Sequence, residues 1–384
     1  MQREDSSEYD VSSSDSSPGK DAIFTPLFTA TLSDAVKDGD TLQFTVMATR
    51  AGEENGTIVN RQFEDIEWLH HCLTTQNNVD GVIIPPLPTR PDVDARSAEN
   101  KSKQQLGNDT KVLKPDDFNN DCQNVEGYLK MILNHPAFGR DVAVEKFLCD
   151  TVAPVRSKLK KGLLSKFTDA VEEVRKGGHR DIDEFFQKKR EWAAEYSKII
   201  KETSTNFDKM VHAQLRLSCS YGNLAAEVTV ADGTSGPDST KLNRIMYKFS
   251  HGLDNERRGL EMICNYGEIT LGHVLDLYSR YMESVRSMLY RRTCLLLNYE
   301  EANKNFEKAK VAKRQAAEEA KIEAEKKYEE CTDTARIELK SFLQQRILAF
   351  GEILTKFTEL QLKSSRETYA LLHNSLTTVQ QLEV

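Results

Sequence analysis

From Lys241 to Val384 the chain contains no proline, and its apolar residues return at steps of three and four. Val274, Tyr278, Tyr281, Val285 and Leu289, then Leu296, Tyr299 and Phe306, fall on one stripe of an α-helix that starts near Leu271. A second stripe runs through Leu339, Leu343, Ile347, Phe350, Leu354, Phe357 and Leu360. Between them, Glu300 to Lys340 is rich in Ala, Glu and Lys, a composition that favours helix and offers little to bury. One straight helix of that length would span on the order of 200 Å. The economical alternative is an antiparallel hairpin that doubles back near residues 310 to 320. Such arms are thin, and they need a second copy or a relative to cover the remaining apolar surface.

The chain has 384 residues, room for two or three domains. Its 52 Lys and Arg against 60 Asp and Glu give a net charge of −8, which argues against a general nucleic-acid binder. The seven cysteines lack C-x-x-C spacing and read as reduced thiols of the cytoplasm, with no disulfide framework or zinc site. Neither a signal peptide nor a run of eighteen apolar residues is found, so membrane contact is expected to be peripheral. No phosphate-binding glycine motif occurs, and His70 and His71 diverge by about 100° on a helix, poorly placed to share a metal. Neither an enzyme nor a cofactor is expected.

Residues 1 to 21 are acidic and Ser-rich, a composition that predicts a disordered tail. Period-two alternation follows: Leu42, Phe44 and Val46 share one face of a strand over Thr41 to Ala48, with further strands near Phe24 to Leu32 and Thr57 to Phe63. Asn55-Gly56 is a hairpin signal, so a three-stranded antiparallel sheet is predicted. Ile66, Leu69 and Leu73 mark a helix that covers it. Ile83 to Pro91 must be extended, polyproline-like backbone. It is either a rigid loop of the fold carrying Arg90 or a P-x-x-P-x-Arg ligand for an SH3 domain. Residues 92 to 121 are polar and poorly patterned, and short helices are expected at Tyr128 to Leu133 and Val142 to Leu148.

Two further stretches suggest membrane contact. Leu159, Lys160, Lys161, Leu163, Lys166 and Phe167 belong to a basic amphipathic helix, which either lies in a lipid headgroup region or packs on the bundle. Lys304, Lys308, Lys310, Lys313 and Arg314 surround the expected hairpin tip and are either a membrane contact or a solvated face.

Three strands, a helix with Trp68-Leu69-His70, a Pro-Pro-x-Pro loop and a long helical region together resemble the PX-BAR sorting nexins. Gln62-Phe63-Glu64-Asp65-Ile66-Glu67-Trp68-Leu69 is similar to the family's Arg-Tyr-x-Asp-Phe-x-x-Leu signature, and Pro85 to Arg90 to its Pro-Pro-x-Pro-x-Lys loop. Leu289-Tyr290-Arg291-Arg292-Thr293 and Asn298-Tyr299-Glu300 resemble the sorting nexin 5 and 6 subgroup. The resemblance implies an α+β PX domain over 22–152 with a shortened insertion, an amphipathic linker over 153–176 and an all-α, three-helix BAR domain over 177–384. The bundle's first helix would open with Ile182, Phe185, Trp192, Tyr196, Ile199 and Ile200. Leu271, Tyr278, Val285, Leu289, Phe350 and Phe357 would form the core and dimer seam.

The resemblance also implies function: peripheral association with early endosomes, tubule shaping and retrieval of transmembrane cargo, as a heterodimer with a sorting nexin of the 1 and 2 type. Anionic or phosphoinositide membranes and cargo-receptor tails are the other expected partners. In the lipid pocket Phe63 can stack on the inositol and Arg90 keeps one charge. Gln62, however, stands where the family has a phosphate-binding arginine, and Val142 where it has the last basic residue. Tight recognition of phosphatidylinositol 3-phosphate is therefore not expected. A helical adaptor that uses Arg90 in an SH3 ligand, without bending membrane, is the alternative.

Overall fold

The computed structural model describes residues 24–94, 96–108, 110, 111, 113, 118–154, 180–229 and 237–381. Three strands come first: β1 (Phe28–Asp38), β2 (Thr41–Arg50) and β3 (Thr57–Gln62), an antiparallel sheet in the order β1-β2-β3. The central strand buries Leu42, Phe44, Val46 and Ala48 in strict alternation, so the period-two reading has its cause in a one-sided core. A bulge between Leu32 and Asp34 shifts the register of β1 against β2.

Helix α1 (Phe63–Gln76) follows β3 without a loop. The Asp65 carboxylate accepts the Gln62 backbone N–H at 2.8 Å, half of a capping box that makes so abrupt a transition stable. Ile66, Leu69 and Leu73 face the sheet, where α3 (Asn119–Leu133) and α4 (Val142–Cys149) complete the core with Tyr128, Leu129, Phe147 and Leu148. Full burial of each such side chain contributes about 1.5–3 kcal/mol. Helix α3 starts well before the expected Tyr128, because its first turns are polar.

Between α1 and α3 lies α2 (Ser97–Leu106), in a stretch that carries no apolar pattern. Its buried residues are Ser97 and Ser102, and its anchor is Leu106, packed against Val211, Leu215 and Cys264 of the helical region. A helix with one apolar contact has no stripe to read.

The helical region consists of α5 (Glu184–Glu227), α6 (Pro237–Gly267), α7 (His273–Glu307) and α8 (Arg314–Gln380). A π-helical turn, Glu268–Gly272, joins α6 to α7. Phe207 fills the space beside that turn: a Cβ on Gly272 would lie 3.2 Å from its ring. The chain reverses between α7 and α8 over Lys308 to Lys313, slightly earlier than expected.

Leu271 is half-buried, while Tyr278, Val285 and Leu289 are buried inside a single chain with Met282, Leu339 and Phe342. Phe350 and Phe357 are half-buried, and Ile347 and Leu354 point outward. In α5 the expected stripe is met in part: Ile200 is buried as expected, Phe186 and Ala193 are buried one residue past Phe185 and Trp192, Ile182, Phe185 and Ile199 are exposed, and Trp192 and Tyr196 are half-buried. The Ala, Glu and Lys-rich interval also buries more than its composition suggests, through Tyr328, Cys331 and Ala335.

Candidate functional site: a closed pocket, a domain junction and an open arm tip

The pocket implied by the sequence sits where β2, α1 and the proline loop meet, lined by Asp40, Thr41, Leu42, Phe63, Glu64, Arg90, Pro91 and Val93. Its arginine is occupied. Arg90 donates from Nη1 to Glu64 and from Nη2 to Glu67, each at 2.7 Å, and lies 5.2 Å above the Phe63 ring. Burial works against its charge, but the hydrogen bonds and charges of the two glutamates outweigh it and hold the guanidinium above its ordinary pKa. Phe63 is 4% exposed, part of the core beneath Arg90, so it is not the free stacking platform the sequence suggested.

One residue before Gln62 stands an arginine, yet strand alternation turns it to the other face of β3. Arg61 is 1% exposed and donates from Nε to the Phe147 carbonyl at 2.8 Å and from Nη2 to the Asp150 carbonyl, satisfying the end of α4. Val142 is exposed at the first turn of α4 and adds no charge. The pocket therefore keeps one arginine, Arg90, and its two glutamate partners stand where a phosphate would bind.

The outer edge of β1 is covered in part. Helix α3 packs against it, and the Glu126 carboxylate accepts the Leu32 N–H at the bulge, at 2.9 Å. An incoming strand would have to displace that carboxylate.

The proline loop does not project from the fold. Pro85, Pro86 and Pro88 are buried, which removes the accessible P-x-x-P ligand of the adaptor reading. Ile83 is 2% exposed inside the helical core, and its N–H donates to Glu338 of α8 at 3.1 Å. His135 contacts the same carboxylate at 3.3 Å. Arg291 and Arg280 donate to the Val82 and Leu87 carbonyls at 2.7 and 3.0 Å. Gly81, at φ +78°, touches α8 so closely that a Cβ would lie 2.5 Å from the Cys331 carbonyl oxygen. Only glycine fits both that conformation and that approach.

Next to Arg291, Arg292 serves the start of the bundle. It forms a fully buried ion pair with Asp181 at 2.6 Å, donates to the Tyr328 hydroxyl at 2.7 Å and to Thr332 at 3.0 Å, and stacks 3.6 Å from the Phe186 ring. Arg336 holds Asp183 two residues on. The paired arginines of the subgroup motif thus tie the β-sheet domain and the start of α5 to the arm.

At the hairpin tip the charges are far less engaged, Arg314 alone among the five lying over a ring, that of Phe306 at 5.6 Å. Lys304, Lys308, Lys310, Lys313 and Arg314 are all exposed, and among the described residues none is ion-paired to a carboxylate. Val311, 92% exposed, stands between them. The amphipathic stretch with Leu159, Lys160, Lys161, Leu163, Lys166 and Phe167 lies outside the described residues. His70 is half-buried, hydrogen-bonded with the Tyr128 hydroxyl at 3.1 Å, and desolvation, with His71 beside it, lowers its pKa to about 4. Among the described residues no helix is long and apolar enough to cross a membrane.

A small sheet domain with a proline loop, fused to a long three-helix arm with a basic tip, defines a peripheral membrane protein of the PX-BAR class. Family comparison agrees: the PX domain model matches residues 50–151, and the Vps5 C terminal like model matches residues 160–376. That second match spans more than half of the chain, which belongs to the Vps5-like, PX-BAR sorting nexins. It is 29% identical to human sorting nexin-6 over 370 residues, 90% of each chain. Mouse sorting nexin-32 is 28% identical over 374 residues, 90% of this chain and 91% of its own. A solved chain titled "The cryo-EM structure of the SNX-BAR Mvp1 tetramer" aligns over 92% of this chain and 100% of its own, at 15% identity and a TM-score of 0.38. Proteins of this family are non-enzymatic adaptors of membrane trafficking.

Proposed function

We propose that this chain is the lipid-pocket-deficient subunit of a BAR heterodimer that coats endosomal tubules and supports retrieval of transmembrane cargo. The observation that carries this reading is the division of its charge: the pocket's Arg90 is consumed within the fold, while four lysines at the arm tip are exposed and, among the described residues, without a carboxylate partner. Attraction of the tip to an anionic bilayer supplies affinity but no headgroup selectivity. The partner, a sorting nexin of the 1 and 2 type, supplies the selectivity, and joining two weak contacts multiplies their strength.

Of the residues assigned to core and seam, Tyr278, Val285 and Leu289 are covered within one chain, while Leu271, Phe350 and Phe357 keep part of their surface for a partner. Leu217 and Leu224 of α5, Tyr247 and Phe249 of α6, and Leu362 and Tyr369 of α8 are exposed by 45% or more, apolar surface that a partner arm would cover. The proposed limits are those of the sequence reading, a sheet domain over 22–152, a linker over 153–176 and an arm over 177–384.

Sedimentation with phosphoinositide-containing anionic vesicles, followed by electron microscopy, tests the reading. Binding and tubulation are expected when the chain is mixed with a sorting nexin of the 1 and 2 type, with weak binding alone. Equal failure in both conditions overturns it.

A further inference from the structure

Helices α5 and α8 each pack along α7, and the gap between them is bridged by long side chains. Trp192 and Tyr196 of α5 stack there, 5.6 Å apart with rings inclined by 12°. The Arg346 guanidinium of α8 reaches across them, 5.2 Å from the Trp192 ring and 4.5 Å from that of Tyr196. Lys189 places its ammonium 5.6 Å from the same Trp192 ring and 5.6 Å from that of Phe185. Two cations thus share one indole.

Neither is balanced. Among the described residues no carboxylate ion-pairs with Lys189 or Arg346, although Arg336, on the same helix as Arg346, is paired with Asp183. Arg346 Nη1 is buried without any hydrogen-bond acceptor. Burial, and then the charge of Arg346, pull the Lys189 pKa down, as expected of a cation short of an anion. Aromatic faces stabilise such cations by roughly 0.5–2 kcal/mol. They accept nothing from the in-plane N–H groups of a guanidinium, and a buried orphan donor in a native fold asks for a missing partner.

We propose that the α5–α8 groove is an oxyanion site that takes a phosphomonoester between Lys189 and Arg346, against the Trp192 edge. A dianionic phosphate matches two cations, and its oxygens suit both the guanidinium fork and the ammonium point charge. A single carboxylate would leave one positive charge uncompensated. Inositol phosphates in solution and phosphoinositide headgroups present the same group. The site is separate from both the sheet-domain pocket and the arm tip, and it does not depend on the proposed endosomal role.

The chain has two tryptophans, so Trp68→Phe leaves Trp192 as the sole indole reporter. Its emission is titrated with inositol hexakisphosphate, and separately with phosphoinositide vesicles and phosphatidylserine vesicles of equal charge. A saturable change with the soluble ligand is expected, weakened about tenfold by Lys189→Gln and by Arg346→Gln, since each removes a charge-assisted contact. A change with phosphoinositide but not phosphatidylserine vesicles assigns the phosphate to a headgroup; a change with the soluble ligand alone assigns it to solution. Calorimetric titration of the unsubstituted chain must give the same affinity, which guards against any fault introduced by Trp68→Phe. No change with any ligand, a change that survives both substitutions, or one that follows protein concentration alone because a second copy fills the groove, overturns the proposal.

Discussion

The sheet-domain pocket and the arm tip are both basic in sequence, yet they differ in what their cations are doing. In the pocket, Arg90 is held by Glu64 and Glu67, and on the other face of β3 Arg61 is held by the carbonyls of Phe147 and Asp150. At the tip, four lysines stand in solvent beside Arg314, which lies over the Phe306 ring. The difference teaches that capacity to bind a membrane is measured by uncommitted charge and not by the number of Lys and Arg. A committed cation supports the fold and is lost to any ligand; a free one does little for the fold and is available to lipid. Arg292 is the extreme of the first kind, and the tip lysines are the extreme of the second.

Substitutions separate the two kinds. The largest effect on stability is expected for Asp181→Asn, which strands Arg292 as a buried, unpaired charge. Loss of one partner of such a pair costs about 3–5 kcal/mol, and calorimetry should show a corresponding fall in Tm. Next, replacing Lys308, Lys310 and Lys313 by Gln should leave Tm nearly unchanged. Affinity for anionic vesicles should meanwhile drop on the order of a hundredfold, which sedimentation at fixed salt will measure. A comparable Tm loss there would erase the distinction.

A smaller effect sharpens it from the other side. Gln62→Arg combined with Glu64→Gln and Glu67→Gln frees Arg90 and adds the missing cation. Binding of soluble phosphatidylinositol 3-phosphate headgroup should rise about tenfold by calorimetry. The smallest change is expected for Arg90→Gln alone. Its two ion pairs are half exposed, so unfolding free energy should move by no more than about 0.5 kcal/mol. Vesicle binding by that variant should match the original chain within about twofold, because the lost cation was never free.

Much of the architecture could be read from the chain. Alternation at Leu42, Phe44 and Val46 foretold a one-sided sheet, and the stripe through Tyr278, Val285 and Leu289 foretold a long buried helix face. Those patterns exist because burial follows the period of the element that carries it. The same logic explains the misses. Helix α2 buries serines and one leucine, so no period marks it. In α5 the difference between exposed Phe185 and buried Phe186 is a rotation of about 100°, which composition cannot resolve.

What the sequence determined by itself is therefore the list of elements, their apolar faces and the absence of an arginine at Gln62. Which charges are spent was decided only by the tertiary structure. Arg292 meets Asp181 across 111 positions, and Ile83 meets Glu338 across 255. No local pattern carries such pairings, since they arise where a packed core brings distant segments together and leaves each buried charge or N–H to find its partner there. Gly81 belongs with them: an unremarkable turn residue in the chain, it lets the proline loop press directly on α8, and so joins the sheet domain to the arm.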